Sequence, residues 1–113
     1  MMVENLIQLN LSQFSRSDID KIEKIGRKLR LMHRWFRHER REEDTGDGFD
    51  SYMIFSGDRG PRTYVSYSIR RLYDGGYELR DPKRKELLAA ARSIDSVIAA
   101  IPDDFFYTGR EVL

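Results

Sequence analysis

The chain of 113 residues contains no cysteine, three prolines and one tryptophan. Without cysteine there are no structural disulfides and no thiolate-bound metal. The same absence is what a reducing compartment permits, so a cytoplasmic location is the expectation. Long apolar runs are missing too. The segment Val3–Gln8 is mixed and has no basic flank, so neither a signal peptide nor a transmembrane helix is expected, and no membrane partner. Glycine-rich phosphate loops of the GxxxxGKS or GxGxxG kind do not occur. There is no internal repeat, and no linker is long enough to divide domains. The expectation is one domain over residues 1–113, large enough to bury a core without a metal or disulfide staple.

What the chain has in abundance is charge, and the charge is segregated. The net charge is only +1, but residues 16–41 carry ten bases against four acids. Residues 42–58 then carry six acids and no base, and residues 59–85 carry eight bases against three acids. Blocks of this kind create local fields even when the total is near zero.

Periodicity predicts helices at both ends of a small sheet. Residues 18–41 read as a helix capped by Ser17, with Ile22, Ile25, Leu29, Met32 and Phe36 on one face. Gly26 weakens that helix and leaves room for a close approach. Thr45–Gly48 reads as a loop. Three strands follow at Phe49–Ser56, Thr63–Leu72 and Tyr77–Arg80, separated by the turn signals Gly57–Pro61 and Asp74-Gly75-Gly76. In the second strand Val65, Tyr67 and Ile69 face one way, and Ser66, Ser68 and Arg70 the other. Asp81-Pro82 reads as the start of a last helix, with Leu87, Ala91, Ile94, Ile98 and Ile101 as its buried stripe and Pro102 as its end. The aromatic tail Phe105, Phe106 and Tyr107 is expected to dock back on the body. Residues 3–14 suit either an extra N-terminal strand, with Val3, Ile7, Leu9 and Leu11 of one parity, or a loose first helix. The predicted fold class is therefore α+β: a three-stranded antiparallel sheet flanked by two long helices, in the order α-β-β-β-α.

The candidate site follows from the first helix. Arg27, Arg30, Arg34, Arg37 and Arg41 recur at steps of three and four, which places them on one helical face. Arginine stays charged and binds phosphate or carboxylate in bidentate fashion. Trp35 lies on the flank of that face, where an indole can stack on a base or anchor a partner. Lys83, Arg84 and Lys85, in the first turn of the predicted last helix, oppose its dipole and extend the surface if the two helices are neighbours. The alternative for the stripe is that the acidic run Glu42–Asp50 folds back and neutralises it.

His33 and His38 are five residues apart, which does not place them on one helical face. No third ligand stands at metal spacing, so no metal site is expected. Their residue type alone would allow a small hydrolase or nuclease.

Residues 50–95 also carry a resemblance to double-stranded RNA-binding domains. Gly60-Pro61 stands between the first two strands, and Lys83-Arg84-Lys85 followed by Ala89-Ala90-Ala91 stands at the last helix. The resemblance implies an α-β-β-β-α fold that grips phosphates across two minor grooves. The chain departs from the pattern after Gly-Pro, where Arg62 and Thr63 replace a histidine, and Leu87 stands where a further base belongs. A second resemblance, to small RNA-cleaving toxins, rests only on scattered arginine, tyrosine and histidine.

The expectation is a small non-enzymatic binding module without cofactor, engaging an acidic macromolecule, nucleic acid or protein, through the arginine-striped helix. The alternative is a protein–protein interaction or homo-oligomeric module, motivated by the strand tyrosines, Trp35 and the aromatic tail.

Overall fold

A computed structural model describes residues 13–42, 50–58 and 64–107. The N-terminal strand or helix expected at residues 3–14 lies almost wholly outside them, as do the loop at residues 45–48 and most of the Gly57–Pro61 turn. The element order is α1 (Arg16–Leu31), β1 (Trp35–Glu42), β2 (Asp50–Gly57), β3 (Val65–Arg71), β4 (Tyr77–Asp81), β5 (Glu86–Ala91), α2 (Ile94–Ala99) and a 3-10 turn at Asp103–Phe105. The five strands form one antiparallel meander in the order β1-β2-β3-β4-β5.

The expectation of three strands between two long helices is thus overturned. The three predicted strands are present, but two further strands take residues assigned to helix. Each error has a local cause. Helix α1 stops ten residues early, through a Schellman motif. His33 adopts a left-handed φ of 60°. Its N–H bonds the Arg30 carbonyl at 3.0 Å, and the Arg34 N–H bonds the Leu29 carbonyl at 2.9 Å. Glycine usually marks such a stop, and none stands there. Beyond it Trp35–Glu42 is rich in arginine and glutamate, good helix formers whose weak preference loses to pairing with β2 along the whole strand.

The second error has the same form. The Asp81 carboxylate accepts the Lys83 and Arg84 N–H groups at 2.9 and 3.3 Å, the bonding an N-cap would make. Lys85 then turns left-handed, φ 55°, and the chain reverses into β5 instead of continuing as a helix. What remains of the predicted last helix is the six-residue α2, capped by Ser93. With it goes the helix that the RNA-binding-domain resemblance requires. Lys83–Lys85 occupy a hairpin turn and Ala89–Ala91 lie on a strand.

The helices cover one face of the sheet. Ser15 caps α1 in a reciprocal box with Asp18, two residues before the predicted cap. Ile22, Ile25 and Leu29 are buried against Tyr52, Ile54, Tyr67, Ile69, Tyr77 and Leu79 from the strands. Each such aliphatic side chain contributes about 1.5–3 kcal/mol on burial. Gly26 provides the close approach its residue type allowed: a Cβ there would sit 2.9 Å from the Phe36 ring. Ile94, Val97 and Ile101 close the core from the C-terminal side, and Phe105 and Phe106 dock on it as expected.

Candidate functional site

Three of the five predicted arginines stay together when the helix breaks, and two part from them. Arg27 and Arg30, on the last turns of α1, line a groove of about 400 Å³ against β1 together with Arg34, Trp35, His38 and Glu23. Arg37 and Arg41 lie on β1, where side chains alternate between faces. Phe36 and His38 point to the helix side, so Arg37, Glu39 and Arg41 share the other face, which no helix covers among the described residues.

Partners then separate the arginines by role. Arg34 is a structural residue. Its side chain is only 3% exposed, and Nη1 lies 2.8 Å from Asp58 Oδ1. Its Nε and Nη2 donate to the Phe105 and Asp104 carbonyls at 3.2 and 3.3 Å, so it joins the start of β1 to the C-terminal turn. Arg37 stacks over the Phe55 ring at 4.7 Å and lies 4.0 Å from Glu39, which Arg41 approaches at 3.4 Å. Arg27 and Arg30 differ from all of these: among the described residues no carboxylate lies within 4 Å of either.

Of the predicted neutralising acids, Asp50 is satisfied elsewhere. It takes Arg40 at 2.6 Å and the Phe14 N–H at 3.2 Å. Residues 43–49 lie outside the described part of the chain. His38 stacks on Phe36 and tilts against Tyr52, both at 5.5 Å, and its Nδ1 is buried with no hydrogen-bond partner.

The second predicted basic cluster does not extend this groove. Lys85 instead lines a cleft on the uncovered face with Arg41, Arg70, Arg80, Ser51 and Ser68. The pairing register explains the assembly: Arg41 stands opposite Ser51, Ser51 opposite Arg70, and Arg70 opposite Glu78. Arg80 is held by Glu78 at 2.9 Å. Lys83 lies over the Tyr64 ring at 5.4 Å, and Arg84 is 4.0 Å from Asp81. On this face the buried Ser51, Ser66, Ser68 and Phe55 lie beneath long charged side chains, Arg37 over the Phe55 ring among them.

Residue type alone could not find Arg70 and Arg80 as cleft residues, because their neighbours are set by register. Of the tyrosines in and beside the strands, Tyr64 and Tyr73 are exposed. Tyr52, Tyr67 and Tyr77 are core residues, and burial raises the pKa of each.

Among the described residues no cluster of three or more metal-ligating side chains occurs, and no helix is long and apolar enough to cross a membrane. Comparison with protein-family models, with curated proteins and with solved structures finds no match.

Proposed function

We propose that the chain is a small non-enzymatic binding module that engages an acidic macromolecule, a nucleic acid or an acidic protein surface, at the margin between α1 and β1. One observation carries this reading. Arg34, Arg37, Arg41, Arg71, Arg80, Arg84 and Arg92 each have a carboxylate within 4.0 Å, whereas Arg27 and Arg30 share a groove and, among the described residues, have none. Two guanidinium groups one turn apart on a helix, with no described carboxylate in reach, offer an external anion two charge-assisted partners at once.

Fluorescence polarisation against duplex DNA, duplex RNA, single strands and polyglutamate, each across a salt series, tests the reading. Binding to at least one probe is expected, with affinity falling steeply as salt rises. The double variant Arg27→Ala, Arg30→Ala is expected to lose about tenfold or more, since charge-assisted bonds contribute on the order of 1.5–3 kcal/mol each. No binding to any probe at low salt would end it.

A further inference from the structure

We infer that β1 accepts a sixth strand, an extended acid-rich segment of a partner protein, whose carboxylates alternate between Arg27 and Arg30 on the helix side and Arg37 and Arg41 on the uncovered side. The inference deepens the binding-module reading and rests on it.

The backbone is the first part of the argument. β1 ends the sheet: it pairs with β2, and no other strand among the described residues lies along its outer edge. In an antiparallel sheet, alternate residues of such a strand direct N–H and C=O outward, and these groups template a further strand. The strand is eight residues long, so the template is long as well.

Charge is the second part, and it selects the occupant. A side chain of an added strand would emerge alternately on the two faces of the sheet. On the helix side it meets the groove that holds Arg27 and Arg30. On the other side it meets Arg37 and Arg41, which share the single carboxylate of Glu39 at 4.0 and 3.4 Å. Arg27 and Arg30 thus stand on one face beside β1 and Arg37 and Arg41 on the other, resting over Phe55 and the cleft, with Glu23 and Glu39 the carboxylates among them in the described residues. A second copy of β1 paired about Glu39 would set Arg37 opposite Arg41 and Glu39 opposite itself, and that register is disfavoured. An extended segment with acids at alternate positions satisfies both faces while its backbone completes the ladder. A nucleic acid can use the charges but not the ladder.

The discriminating experiment uses the full chain and an array of eight-residue peptides. Glutamate stands at alternate positions, and the intervening positions are varied among Val, Ile, Thr and Tyr. Binding is read by polarisation at low salt, beside a single-stranded oligonucleotide. The best peptide is then made in two forms, one N-methylated at all odd residues and one at all even residues. Strand addition predicts that one form loses at least tenfold in affinity and the other retains most of it, whatever the register. It also predicts that alternate β1 amides gain exchange protection and that Arg27→Ala and Arg37→Ala each weaken binding several-fold. Both are surface substitutions, so the fold survives them. Equal tolerance of both methylated forms, or binding of the oligonucleotide but no peptide, would overturn strand addition and leave the binding-module reading standing. Binding of neither would remove both.

Discussion

The two edges of the sheet are made of opposite chemistry. In β1, Trp35-Phe36-Arg37-His38-Glu39-Arg40-Arg41-Glu42, six of eight residues can carry charge. In β5, Glu86-Leu87-Leu88-Ala89-Ala90-Ala91, one of six can. Both are reached through a residue with left-handed φ that is not glycine, His33 for β1 and Lys85 for β5. An exposed strand edge invites pairing, and proteins guard it with charge or with irregularity. β1 is guarded by charge. β5 is guarded by a register shift between Leu79 and Arg80 of its neighbour and by α2, which packs against it. A bulge refuses every partner, whereas charge refuses some and selects others. That difference is why β1 is the edge assigned a function.

The anchoring of the two edges differs as much as their surfaces, and the largest expected effect breaks that contrast. Arg34 holds the start of β1 from inside, with its side chain 3% exposed and bonds to Asp58, Phe105 and Asp104. Arg34→Ala removes the Asp104 carbonyl's donor, leaves the Phe105 carbonyl with the Ser56 hydroxyl at 2.6 Å, and breaks the bridge from β1 to the C-terminal turn, so it should cost about 3 kcal/mol in urea unfolding. The ion pair after β5, Arg92 with Asp74 at 3.2 Å, is 75% and 67% exposed. Arg92→Ala should cost less than about 1 kcal/mol.

A pH titration sharpens the comparison on the side nearer β5. Tyr77, on β4, is buried and donates to Asp18 at 2.8 Å, and burial, then this bond, pushes its pKa up to about 12 from 10.0. The raised value favours the neutral phenol in the fold. Its contribution is complete below pH 10 and is lost as the unfolded phenol ionises between about pH 10 and 12. Stability should fall over that window by on the order of 2 kcal/mol, and Tyr77→Phe should remove much of the fall. Tyr67, which donates to Asp104 at 2.6 Å, shifts in the same direction and adds to it. A Tyr77→Phe profile that tracks the parent throughout would contradict this assignment.

The middle of the molecule was readable from the sequence because its signals are short-ranged. The alternation Val65, Tyr67, Ile69 against Ser66, Ser68, Arg70 and the turn at Asp74-Gly75-Gly76 both describe β3 and its hairpin as found. The edges were not readable. Trp35–Glu42 has helical propensity and, read alone, continues the three-four spacing of α1; only the left-handed turn at His33 redirects it. Glu86–Ala91 is built of good helix formers and is held extended by β4. Of the candidate site, Arg27 and Arg30 were legible as exposed arginines one turn apart. That Arg34 would be buried was not, since its partners lie 24 to 71 residues away.

Gly26 tests how tightly α1 is set upon β1. Replacing it with alanine gains about 1 kcal/mol of helix propensity. The new methyl, however, would meet Phe36 Cδ2 at 2.9 Å, and Phe36 belongs to β1 and packs on the core. Overpacking of this kind typically costs 1–3 kcal/mol, so a net loss of about 1 kcal/mol is expected. It should also weaken binding at the groove, because displacement of Phe36 moves β1 away from Arg27 and Arg30. An unchanged midpoint in thermal unfolding would show that the ring moves aside freely.

The smallest expected effect concerns the two left-handed residues. A residue with a Cβ pays roughly 1–2 kcal/mol in that conformation, which glycine avoids, while glycine costs about 0.5–1 kcal/mol more to order on folding. His33→Gly and Lys85→Gly should therefore each stabilise by about 0.5 kcal/mol, read from chemical denaturation. His33 sits in the Schellman motif that ends α1, and both of its hydrogen bonds are made by backbone, so they survive the change. At Lys85 the turn is held by Asp81 through the two preceding N–H groups, which also survive. The pair should then match in binding as in stability, because neither residue belongs to the four arginines at the β1 edge. Lys85→Gly removes a cation from the uncovered cleft, and His33→Gly leaves Arg27 and Arg30 where they are. Loss of acidic-peptide binding in Lys85→Gly alone would move the site from the edge of β1 to the open face of the sheet.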